Sequence, residues 1–403
     1  MKRSVNVAGA GIISCLGSSW AETAEALQRG ESGLSEMQLP NSKIITVGQV
    51  KIPNEELAHR VGSNHDFTRT VLLGLHAAKE AYLQSGIQIM ERWRVGMVSA
   101  TMGGGMDKTE QFYPVFLEDS ARGKLRNVVN HYPGKCTELM ADALNIRDII
   151  STVNTGSASA LNAIMYGARL IAHDKADVIF AGGTDALTRF AMQGLDDMGL
   201  CDNNRCRPFD ETCAGLNVGE GAAFIVLVSD HVVRDEGIGA IATLSGYASS
   251  NFIHNAFPST VKEEAAFQAM DRAIQMAGLH VSDIDYVNLF GTGVPDFDLI
   301  EAAAIHRLFG NQLPKLSSTK GFTGFTSGAS GAIEAVIALM SLSHQCVYPN
   351  AGFEKKIPEV GILPEQQFNA ASVQHTMVNS FSFHGNCSSI VLSKALPQTN
   401  FEI

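Results

Sequence analysis

The chain has 403 residues, of which 45% are hydrophobic and 18% charged, and its formal net charge is -11. This length exceeds one ordinary domain and permits a sizeable core; the acidic balance argues against nucleic acid and anionic membrane, both of which need a basic face. Seven scattered cysteines without a C-x-x-C pair, and no run of roughly 18 apolar residues, suggest free thiols, no metal centre, no membrane span and a cytoplasmic location.

In chain order, the pattern predicts a strand over 5–12 ("VNVAGAGI"), helices over 20–29 and 68–85, and strands over 94–100 and 148–154. A helix over 157–173 follows, then strands over 176–183, 222–228 and 240–249. The rest reads as a helix over 263–277, a strand over 285–291, helices over 298–309 and 330–343, and closing strands over 375–383 and 388–394. This alternation is that of an α/β protein whose strands are covered on both faces. Two halves, 1–245 and 246–403, repeat a strand and helix order, and no Pro- or Ser-rich linker divides them.

Two glycine-rich stretches are best read as turns. "GAGIIS" (9–14) has Ser14 where a dinucleotide fingerprint needs its third glycine, and "MGGGMD" (102–107) lacks the Gly-Lys-Ser/Thr of a phosphate loop. A sharper signal is "TVNTGSASALNAI" (152–164), where a strand turns into a helix with Ser157 at its mouth, a place suited to a nucleophile facing free backbone N–H groups. The flanking residues Thr155 and Ser159 exclude the G-x-S-x-G elbow, and serine needs a base before it attacks. The Gly/Thr-rich loops that would face it, 288–298 and 317–334, carry Phe290 and Phe325 and no histidine.

Six ordered blocks carry a resemblance: "GAGIISCLGSSWAETAEALQRGESGLS", "ARLIAHDKADVIFAGGTDA", "RPFDETCAGLNVGEGAAFIVL", "VNLFGTGVPDFDLIEAAAI", "SSTKGFTGFTSGASGAIE" and "VNSFSFHGNCS". Together they resemble the elongating, type II β-ketoacyl-acyl-carrier-protein synthases, nearly end to end. The resemblance implies the thiolase fold, five layers αβαβα with two pseudo-equivalent halves, and no cofactor. It also implies a cysteine nucleophile and two histidines, whose positions fall here on Ser157, Phe290 and Phe325. The supporting Lys320, Glu334, Asp298 and Glu301 remain, as does Phe383 of the gating loop, whose backbone amide would help form an anion hole; His384 stands where that loop normally has glycine.

Loss of all three reactive residues inside an intact frame resembles a chain-length factor, the silent partner of a ketosynthase heterodimer that works on acyl carrier protein substrates. Such factors in aromatic polyketide systems usually carry glutamine where Ser157 stands, so the likeness is nearer to partners in polyene-forming systems such as aryl polyene clusters. In these relatives the segment before the nucleophile strand reaches across the dimer, which makes Asn127, His131 and Tyr132 candidates for the cavity wall. The alternative is an acyltransferase in which Ser157 attacks an acyl thioester with Lys320 as its base.

Overall fold

Strands that are apolar along their whole length must be covered on both faces, and several such segments join others of mixed pattern in one ten-stranded sheet. The computed structural model describes residues 3–39, 42–88, 92–252, 259–358 and 361–395. In chain order the strands are β1 (Val5–Ile13), β2 (Val95–Ala100), β3 (Ile149–Val153), β4 (Val178–Asp185) and β5 (Gly221–Ser229). They continue as β6 (Ala242–Asn251), β7 (Tyr286–Asn288), β8 (Lys315–Ser317), β9 (His375–Phe381) and β10 (Asn386–Lys394). Their spatial order is β8-β7-β9-β10-β6-β1-β5-β4-β2-β3.

The joint between β1 and β6 is narrow, with only Asn6 opposite Thr243 and Val7 opposite Ala242. On either side lies a five-stranded half, and each half runs third, second, fourth, fifth, first in its own chain order. Among the helices that dress these halves are α1 (Arg69–Ser85), α2 (Met106–Glu118), α3 (Pro133–Ala143), α4 (Ser159–Ala172), α5 (Arg189–Asp197), α6 (Ser259–Ala277), α7 (Pro295–Phe309) and α8 (Ser330–His344). α4 and α8 lie between the two halves, α1 and α3 cover the outer face of the first, and α6 and α7 that of the second. The result is the five-layered αβαβα thiolase fold. Its middle layer explains why α8 lacks a polar face: every residue from Ser330 to Leu342 is buried.

The helix expected over 157–173 begins two residues later, at Ser159. Gly156 adopts φ +70°, which carries the chain round before the helix can start. The helix expected from Asp298 begins at Pro295, which is pre-set for a first helical turn and lacks the N–H that would go unpaired there. Thr68 is the N-cap of α1, its side chain accepting from the Val71 N–H, and Gly86 ends the helix in the left-handed region.

Both halves bring their first strand against a helix by removing side chains. A Cβ on Gly9 or Gly11 of β1 would run into the carbonyls of Ala81 and Ala77 on α1, and one on Gly246 of β6 into that of Ala273 on α6. Side chains of α1 then replace the strand partner that β1 lacks: Gln84 Oε1 accepts from Ala10 N at 2.6 Å, and Glu80 accepts from Ile12 N at 2.8 Å. Gly11→Val is therefore expected to push α1 off the sheet and lower unfolding stability by about 3 kcal/mol, read as a fall in the urea midpoint.

Candidate functional site

The site starts at the turn between β3 and α4. Thr155 N donates to Ser159 Oγ at 2.7 Å, and Ser159 Oγ in turn donates to the Gly156 carbonyl, so the helix's first hydroxyl closes the turn before it. A Cβ on Gly156 would strike Ser382 Oγ. Ser157 is buried at the tip. Its Oγ donates to the Phe381 carbonyl at 2.7 Å, and its own carbonyl accepts from Ser380 Oγ at 2.9 Å. A backbone carbonyl cannot take up the hydroxyl proton, so the group that holds the serine hydroxyl is a hydrogen-bond partner and not a base.

The loop after β7 is held by two buried carboxylates from the first turns of α7. Glu301 accepts from Phe290 N at 2.9 Å, Gly291 N at 2.8 Å and Asn379 Nδ2 at 3.0 Å. Asp298 accepts from Thr292 N at 2.9 Å, from Gly293 N, and from Phe209 N at 2.8 Å. Burial pushes both carboxyls up against the pull of these donors, Asp298 to about 7. Lys320 is buried behind the loop, where its ammonium donates to the Phe290 carbonyl at 2.5 Å, pairs with Glu334, and lies 4.6 Å from the centroid of the Phe290 ring. Burial raises the Glu334 carboxyl and the Lys320 ammonium lowers it.

Phe325 is fixed by strand-like bonding, its N–H donating to the Asn217 carbonyl at 2.7 Å and its carbonyl accepting from Gly219 N at 2.8 Å. The Phe290 and Phe325 rings meet edge to face, with centroids 6.5 Å apart, and three further phenylalanines complete the group. Phe383 stacks on Phe325 at 5.5 Å and packs on Phe297 at 4.6 Å, and Phe381 lies 5.7 Å from Phe290. Such ring pairs are worth about 0.5–1.5 kcal/mol each beyond the apolar area they bury.

A cavity of about 340 Å³ opens in front of Ser157, lined by Phe325, Phe383 and His384 on one side and by Phe190, Leu195 and Met198 of α5 and its end on the other. His384 is exposed there, and its backbone N–H donates to Ser382 Oγ. Asp185, at the end of β4, also reaches the cavity. Its buried carboxylate accepts from Thr101 Oγ1 at 2.6 Å and from the N–H groups of Met102, Gly103 and Gly328.

The structure thus brings Ser157, Phe325, Phe383 and His384 to one cavity, with Phe290 behind Phe325 and with Lys320, Glu334, Asp298 and Glu301 behind the loops. Asn127, His131 and Tyr132 do not line it. His131 Nδ1 meets Thr109 Oγ1 at 2.9 Å under α2, Asn127 is half-buried beside it, and the exposed Tyr132 hydroxyl donates to Glu138. Among the described residues no three His, Cys, Asp or Glu side chains come together as metal ligands.

Residues 2–231 match the family described as "Beta-ketoacyl synthase, N-terminal domain", and residues 241–354 match "Beta-ketoacyl synthase, C-terminal domain". The chain belongs to the β-ketoacyl synthase family. Among its relatives is a 3-oxoacyl-[acyl-carrier-protein] synthase 2 of Coxiella burnetii, 28% identical over 98% of this chain and 99% of that protein. A ketosynthase in complex with its chain length factor from Xenorhabdus doucetiae is similar in structure, with TM-score 0.84, 25% identity and 98% of each chain covered. The ishigamide ketosynthase/chain length factor superposes with TM-score 0.92 over 98% of this chain and 100% of that one; at 23% identity the likeness is one of fold.

Asp185, Phe297 and Phe381 of this β-ketoacyl synthase site escape a sequence reading. Asp185 has one visible signal, an acidic residue closing an otherwise apolar strand; Phe297 has none, because only α7 brings it to Phe383. The buried carboxylates yield a pH test. With its folded-state value above the ordinary carboxylate range, Asp298 favours the fold most when protonated; that contribution is complete below about pH 4 and lost as pH rises through about 7. Asp298→Asn is expected to flatten this dependence. It should also lower stability by about 1–3 kcal/mol near neutrality, because its amide NH₂ would face a backbone donor. Urea midpoints at about pH 5 and about pH 7.5 measure both effects.

Proposed function

We propose that this chain is a chain-length-factor-like subunit, silent in condensation, that pairs with an active ketosynthase and shapes the cavity for a carrier-protein-bound acyl chain in fatty-acid, polyketide or polyene-type assembly. The observation that carries this reading is the aromatic cluster. Where the family resemblance puts two imidazoles facing a thiol, Phe290 and Phe325 face one another, and the Ser157 hydroxyl is engaged by the Phe381 carbonyl. Phenyl rings neither accept the proton of a nucleophile nor donate to an enolate oxygen.

The surface supports pairing. β3 ends the sheet with an open edge, and Ile150 on it is 43% exposed. α2 and the segment after it also expose Tyr113, Leu117, Leu125 and Val129, apolar side chains that suit a protein partner. The likeness to a ketosynthase complexed with its chain length factor supports a synthase as that partner. Asn127, His131 and Tyr132 lie in this same segment, and we assign them to the wall of the shared cavity rather than to this chain's own. Free cysteines at all seven positions suit a cytoplasmic setting.

The acyltransferase alternative gains no support from Lys320, whose ammonium is engaged by Glu334 and the Phe290 carbonyl and which does not line the Ser157 cavity. Purified alone, the chain is expected to leave malonyl thioesters unchanged; with a synthase that keeps its cysteine and both histidines it should co-elute as a heterodimer and support condensation. Ser157→Ala in that complex should keep product formation within about twofold. A stable homodimer that condenses malonyl thioesters unaided would overturn the reading, as would an acyl adduct on Ser157 whose loss abolishes turnover.

A further inference from the structure

We infer that Glu110 is a positioning residue, which holds the N-terminus of α5 and so ties the outer wall of the Ser157 cavity to the exposed face of α2. Pairing on that face then sets how firmly the wall stands. The inference rests on the subunit reading above only for the partner; the tie between α2 and α5 belongs to this chain alone.

α5 depends on what grips its ends. Met192 alone of its nine residues is buried, and helices shorter than about 12–15 residues do not stand alone in water. Gly194 sits in its middle, where glycine costs about 1 kcal/mol relative to alanine, and Gly199 closes it at φ +70°. At the far end Lys43 meets Asp196 at 2.6 Å, which offsets a carboxylate placed against the negative end of the helix. At the near end the Thr188 side chain caps Ala191 N, and Glu110 accepts from Phe190 N at 3.3 Å. A carboxylate in that place also meets the positive end of the helix. Burial pushes the Glu110 carboxyl up, while the Phe190 and Arg189 N–H groups pull it down.

α2 is loosened where it touches α5. Its first turn is anchored, since the buried Asp107 accepts from Arg69 N at 2.7 Å. Pro114 lies inside the helix, four residues after Glu110, so position 114 supplies no N–H to the Glu110 carbonyl and the proline ring presses on that same carbonyl. Past Glu110, Tyr113 and Leu117 are exposed, and the three stand at i, i+3 and i+7, one face of the helix. A partner packed on Tyr113 and Leu117 fixes the half of α2 beyond the proline hinge, and Glu110 passes that constraint to Phe190 and the cavity wall.

Amide hydrogen exchange over 189–198 tests this, in the purified chain and in its complex with a synthase. α8 is the control, because every residue from Ser330 to Leu342 is buried. Pairing is expected to slow exchange in α5 about tenfold and to leave α8 unchanged. Glu110→Ala should speed α5 exchange about fivefold in the unpaired chain and abolish the slowing on pairing. Glu110→Gln, whose amide oxygen still accepts from Phe190 N, should keep most of that slowing. Pro114→Ala restores the missing N–H and should slow α5 exchange in the unpaired chain. α5 exchange that Glu110→Ala or Pro114→Ala leaves unchanged overturns the assignment, as does an equal effect of Glu110→Ala on α8 or a slowing on pairing that survives it. Co-elution with the synthase is scored separately: a chain that does not pair sinks the subunit reading, and the unpaired variants alone then decide the tie; a chain that pairs while the variants change nothing sinks the tie alone.

Discussion

Asp298 and Glu301 hold the loop after β7 by its backbone, and the geometry of the site depends on that grip. Burying two carboxylates a turn apart is expensive, and the expense is offset because six N–H donors of the backbone and Asn379 point at them. None of those bonds involves the side chain of residue 290. The loop therefore keeps its shape whatever that side chain is, and Lys320 braces the same residue through its carbonyl. A frame built this way is independent of the side chain it presents.

The aromatic side chains of the site obey a simpler rule. Buried imidazoles need hydrogen-bond partners on both nitrogens; phenyl rings need only neighbours at van der Waals distance. Phe290, Phe297, Phe325, Phe381 and Phe383 supply one another, drawing on α7, on the loop before α8 and on the end of β9. Hydrophobic closure thus joins parts of the second half of the chain that an active site joins through polar contacts. The cavity survives on the other side of Phe325 because α5 contributes a single apolar face and turns its charges outward.

Much of this could be read from the sequence because burial on both faces leaves long apolar runs. β1, β4, β5 and β9 are legible as strands, and Ser157, Phe290 and Phe325 are legible as a set because each follows a strand in a small-residue loop. What stayed hidden depends on long-range contact. α2 and α5 are only partly buried, with few side chains reaching the core, and nothing in their sequence says that α5 walls the cavity. Phe297 and Phe381 look like ordinary core residues until α7 and β9 bring them to Phe290 and Phe383. The start of α4 was placed two residues early because Gly156 turns the chain with a positive φ that no helix periodicity records.

The edge-to-face and stacked rings also bear on how this lineage can change. A histidine in place of Phe325 would exchange ring contacts with Phe290 and Phe383 for an imidazole that needs polar partners, while Ser157 and Ser382 in the same cavity already hold backbone bonds. Each such exchange gives up ring packing that the whole cluster shares, so tolerated variation here is confined to side chains that replace one apolar group by another.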